Sequence, residues 1–138
     1  VLLRQHCADK PITGLLWLTK VAVATFVKQG VVMLDAFLEQ KSKQLVFYLA
    51  RYLRGQLPHQ EMHLFIWDTL EEWAQLKISN KTPQSFREMV FWHLVYQLEF
   101  CSESDLKTDR HLRRELHQCM GYLLGKTQVH ADFVGIRP

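Results

Sequence analysis

A chain of 138 residues fits one domain, and folding at that size hides roughly two-thirds of the extended surface, enough for a core without disulfide or metal staples. Hydrophobic residues at 48% and aromatics at 12% exclude a disordered chain. The formal charge of +3 divides into blocks of +5 (residues 1–60), −5 (61–105) and +3 (106–138) that can satisfy one another inside a fold, so no single strong field toward nucleic acid is implied.

Taken in chain order, the periodicity is helical nearly throughout, with Gly scarce, Pro at boundaries and no alternating strand-like runs. Residues 1–11 read as an irregular tail. A first helix is expected over about 12–40, with a break allowed at Gly30. Its charged residues Lys20, Lys28, Asp35 and Glu39 share one arc, and most of the remaining circumference is apolar. Those charges also interrupt the Leu15–Leu38 stretch, so no run reaches the ~18 apolar residues of a membrane span. Residues 26–38, FVKQGVVMLDAFL, resemble a helix in the C-terminal solenoid of a Fanconi anaemia protein family.

A second helix over about 42–54 places Leu45, Tyr48, Leu49, Tyr52 and Leu53 on one side and stops at Gly55. Pro58 opens a third, running to about Lys77. After the turn KISNKTP, Thr82 and Pro83 signal the cap and first position of a fourth helix that ends near Phe100. The fifth is expected from about Asp105 to Leu124, with Gly125 as its stop and an irregular tail over 126–138. The fourth helix is apolar nearly all round, as the first is. The fold expected is therefore an all-α, single-domain bundle of about five helices, with the first and fourth largely buried at its centre.

Three widely spaced cysteines, Cys7, Cys101 and Cys119, form no C-x-x-C pair and point to a reducing, intracellular setting. Cys101 and Cys119 lie on or beside apolar faces and read as core. HQEMH, residues 59–63, sets His59 and His63 four apart on a helix, as in H-E-x-x-H zinc sites. Here the glutamate stands one place too late, which turns Glu61 away from both imidazoles, and no spacing indicates a third ligand. The pair therefore reads as the edge of the stripe Met62, Ile66 and Trp73 near a helix start, and no metal site is assigned. No phosphate-cradling glycine loop, nucleophile elbow or EF-hand occurs, and no cofactor is indicated.

REMVFWH, Arg87 to His93, resembles the R-x4–6-H motif of the HEPN family of all-helical domains. The resemblance implies an RNase in which Arg87 holds the scissile phosphate and His93 moves a proton, commonly across a dimer. The same spacing occurs at Arg54/His59 and Arg110/His117, but only Arg87 and His93 both interrupt apolar faces. On the fifth helix Lys107, Arg110, Arg113, Arg114 and His117 share one arc beside the apolar arc of Leu112, Leu116, Cys119, Met120 and Leu123, a stripe suited to phosphates or an acidic protein surface. The apolar excess of the first and fourth helices favours a different function: a non-enzymatic module that binds another protein, or a second copy of itself, through helix surface.

Overall fold

The computed structural model describes residues 29–138, and every helix among them is α-helical with no strand between. The expected tail over 1–11 and the helical stretch 12–28, with Cys7 and Trp17, lie outside the described residues. Five helices follow: α1 (29–53), α2 (His59–Leu76), α3 (Phe86–Phe100), α4 (Glu103–Thr108) and α5 (Arg110–Leu123). The all-α bundle is the architecture that the helical periodicity requires.

The division into helices differs from the sequence reading at two places. The first and second expected helices are one: α1 runs unbroken through 40–42, and Gly30 sits inside it. Gly30 has no turn to make there, and Lys41 and Ser42 are buried within the rod rather than in a loop. The fifth expected helix is instead two, divided at Asp109, whose backbone is extended and whose carboxylate Oδ1 accepts from the Leu112 amide at 3.1 Å to cap α5.

α1 and α2 pack as an antiparallel hairpin. Tyr52 meets His59, Tyr48 meets Phe65, Lys41 meets Glu72 and Phe37 meets Trp73, so the pairing descends in register from the turn at Gly55. Gly55, at φ 75°, ends α1 as its C-cap pattern indicates, with its amide bonded to the Tyr52 carbonyl at 3.0 Å. On α2 the stripe Met62, Ile66, Thr69 and Trp73 is buried at helical spacing.

α3 fills the centre. Val90, Phe91, Trp92, Leu94, Val95 and Leu98 are all sealed from solvent, a span of positions too wide for one face. Each such burial contributes about 1.5–3 kcal/mol. At the junction of α1, α2 and α3, Phe37, Trp73, Phe91 and Trp92 interlock with ring centroids 4.9 to 6.4 Å apart. α5 closes the opposite side with Leu112, Leu116, Cys119, Met120 and Leu123, all buried. In the described part of the first expected helix only one side is covered: Leu34, Phe37 and Leu38 are buried, while Val32 and Met33 face solvent. Of the two helices expected at the centre, α3 holds that position and this stretch of α1 packs against it by one face.

α3 begins three residues later than the Thr82–Pro83 signal suggests. Ser85 is the N-cap, its hydroxyl accepting from the Glu88 amide at 3.1 Å. The carbonyls of Thr82 and Pro83 are turned to a different partner, the guanidinium of Arg137. That contact pins the tail after Gly125 across the start of α3.

Candidate functional site

The outer face of the α1–α2 hairpin carries the aromatic side chains that the core leaves over. Phe47 stands edge-on to Tyr48 at 5.8 Å, and Tyr48 packs on Phe65 of α2 at 4.6 Å, so the contacts run without a gap from one helix to the other. Phe47 is 53% exposed and Trp67 59%, with Leu64 exposed beside Phe65. Helical spacing explains the arrangement: residues 64 and 67 project opposite to Met62, Ile66 and Trp73, which hold α2 to the core. Arg51 lies over the Phe47 ring at 4.3 Å, and Lys41, buried by the hairpin, reaches Glu72 at 2.7 Å. Glu61, Asp68 and Glu71 surround Leu64 and Trp67 on the exposed side of α2, and among the described residues none of the three has an ion-pair partner. Higher on the same hairpin, Met33, Ala36, Phe37, Gln40, Glu72 and Leu76 line a shallow groove of about 410 Å³.

His59 and His63 lie along α2 on the side of Trp67, whose ring centroid is 6.5 Å from that of His63. The two imidazole rings are 4.4 Å apart, and the Tyr52 hydroxyl and His59 Nδ1 are hydrogen-bonded at 2.9 Å. Burial, followed by the proximity of His63, lowers the His59 pKa below the ordinary imidazole value. Among the described residues no group of three or more His, Cys, Asp or Glu is placed to hold a metal ion.

Arg87 and His93 both face α5, but at different levels. The His93 Nε2–H donates to the Glu115 carboxylate at 2.7 Å, and the His93 ring stacks on Phe133 at 5.2 Å and only 9° from parallel. Arg87 donates to the Leu123 carbonyl at the far end of α5, over a long 3.4 Å. These partners are eight residues apart on one helix, or about 12 Å, so the two side chains do not converge on a common point within one chain. The His93–Glu115 pair borders a groove of about 400 Å³ between α5 and the tail, lined by His111, Arg114, Gln118, His130 and Asp132 as well.

The basic stripe divides. Arg113 turns inward and joins three elements, donating to the carbonyls of Leu106 at 3.1 Å and Leu53 at 2.9 Å. Lys107 pairs with Glu103 within α4 at 2.6 Å. Arg110, Arg114 and His117 remain exposed. The two described cysteines are both free thiols, and neither is activated: burial pushes Cys101 up, and burial with Glu115 nearby pushes Cys119 up to about 12.

The sequence reading missed one polar centre. Glu88, on the most apolar helix, is 0% exposed and is met by Arg137 from the tail and by the Trp92 indole. An acidic residue between apolar neighbours was the available signal, since a buried carboxylate requires donors. Comparison of the chain with known protein families, curated proteins and solved structures yields no match.

Proposed function

We propose that the protein is a non-enzymatic helical interaction module whose binding surface is the outer face of the α1–α2 hairpin. The observation that carries this reading is the aromatic contact Phe47–Tyr48–Phe65 across the two helices, which leaves Phe47 exposed, with Leu64 and Trp67 exposed as well on α2, while the middle of α3, from Val90 to Leu98, keeps most of its apolar side chains in the core. Large aromatics at the centre of a protein–protein interface supply most of its binding energy. The carboxylates of Glu61, Asp68 and Glu71 around Leu64 and Trp67, without an ion-pair partner among the described residues, favour a partner helix whose apolar stripe is flanked by Lys or Arg. Free thiols at Cys101 and Cys119 accord with a regulatory role inside the reducing compartment of a cell.

No helix among the described residues is long and apolar enough to cross a membrane. The experiment places a photo-reactive phenylalanine analogue at position 47, 64 or 67 in cells, with position 128 as the exposed control. Discrete adducts are expected from the three hairpin positions, either with a second copy or with one other protein, and none from position 128. Equal or absent adducts at all four positions would contradict the reading.

A further inference from the structure

The last residues of the chain sit in a groove of α3 as a bound peptide sits in a receptor. Backbone bonds hold them: the Gly135 amide donates to the Met89 carbonyl at 2.8 Å, Gln84 Nε2 donates to the Gly135 carbonyl at 2.8 Å, and the Tyr96 hydroxyl donates to the Ile136 carbonyl. Gly135 must lack a side chain, because a Cβ there would lie 2.7 Å from the Trp92 carbonyl carbon and 2.9 Å from its Cβ. The flanking apolar side chains contribute little, since Val134 is half exposed and Ile136 is 81% exposed. Specificity is concentrated in one side chain. Arg137 Nε and Nη2 reach the two oxygens of Glu88 at 2.5 and 2.7 Å, Nη1 donates to the Thr82 carbonyl at 2.7 Å, Nη2 donates to the Pro83 carbonyl at 3.1 Å, and the guanidinium lies 5.8 Å from the Trp73 ring centroid. The Trp92 indole donates to Glu88 Oε2 at 3.0 Å, which fixes the carboxylate in its socket.

We infer that this groove is a recognition site for an extended peptide bearing Gly-x-Arg, and that the chain's own tail occupies it in cis. A forked guanidinium satisfies both carboxylate oxygens and two carbonyls at once, which an ammonium cannot do. The socket cannot stay empty at low cost, because Glu88 would then lose its only ion-pair partner among the described residues and keep the Trp92 indole as its side-chain donor. Leaving of the tail is therefore coupled to entry of another arginine. The tail competes at an effective concentration on the order of millimolar, as a short tether provides. This site is separate from the hairpin face, so the two readings stand or fall independently.

The test uses the full chain and a fluorescein-labelled peptide with the sequence of residues 131–138, followed by fluorescence anisotropy. The Arg137→Ala chain is expected to bind the peptide at least tenfold more tightly than the unaltered chain. The same peptide with its arginine replaced by alanine or lysine is expected to bind at least tenfold more weakly. If the donor is a second copy, tails exchanged between copies give a dimer that the same peptide dissociates. Equal binding by both chains, or undiminished binding of the arginine-less peptide, would overturn the inference. Should Arg137→Ala fail to fold, hydrogen exchange on the unaltered chain decides: the Gly135 amide is expected to exchange at least tenfold faster than the amides of Trp92 to Val95, and exchange in step with them would overturn the proposal.

Discussion

Arg113 and His59 show how much a side chain's role depends on what packs against it. By helical angle Arg113 belongs with Arg110 and Arg114, yet it reaches the carbonyl of Leu53 at the end of α1 and that of Leu106 at the end of α4. Helix C-termini leave carbonyls unsatisfied, and a guanidinium placed between two of them is attracted to both. His59 is set by the opposite effect. Its Nδ1 shares a hydrogen bond with the Tyr52 hydroxyl, and burial disfavours the doubly protonated, charged ring. A folded-state pKa below the unfolded value of about 6.5 means that this contribution is complete above pH 6.5 and is lost as pH falls through the folded pKa. The midpoint of thermal unfolding is expected to drop between pH 7 and pH 5, and His59→Gln is expected to flatten that drop. An identical pH profile for the two chains would remove His59 from the account.

At the scale of elements, the helix ends were legible where a glycine or an oxygen-bearing cap stands alone. Gly55 and Gly125 both adopt φ 75° at the C-termini where composition places them, and Gly125 donates to the Tyr122 carbonyl at 2.9 Å. The apolar stripe of α5, Leu112 to Leu123, is the buried stripe of the structure residue for residue. Competing signals hid the rest. Thr82–Pro83 outranks Ser85 as a start signal by sequence alone, and Ser85 prevails because Arg137, fifty-odd residues on, claims the Thr82 and Pro83 carbonyls. The division at Asp109 was hidden because neither Gly nor Pro marks it. α2 closes on Lys77 at φ 51°, a left-handed conformation that costs a side-chain-bearing residue about 1–2 kcal/mol. Lys77 is exposed, so Lys77→Gly is expected to raise stability by about 0.5–1 kcal/mol after glycine's entropy cost, measured by urea unfolding with an unchanged m-value. A loss of stability would show that the lysine side chain makes up for its backbone.

For the whole molecule, the charge blocks do meet inside the fold, although through few contacts. Lys41 of the first block pairs with Glu72 of the second, and Glu88 of the second pairs with Arg137 of the third. The buried Glu88–Arg137 contact is the kind whose breaking costs about 3–5 kcal/mol, while the exposed Lys107–Glu103 pair, screened by solvent, contributes little. Periodicity could not reveal the first of these, because it ties a helix to a tail without a repeat. It could not separate core from exposed apolar surface either: the first and fourth expected helices read as equally apolar, and only packing shows that the middle of α3 is covered while Val32 and Met33 of α1 are not, and that Phe47, Leu64 and Trp67 are left exposed on the hairpin.

The claim that the hairpin face is built to be covered by another protein is tested most directly by hydroxyl-radical footprinting of the purified, dilute chain and of the same chain inside cells. Trp67 and Phe47 are expected to be oxidised readily in isolation and protected in the cell, with the exposed Phe100 oxidised in both and Trp92 in neither. Oxidation of Trp67 and Phe47 to the same extent in both settings would contradict it.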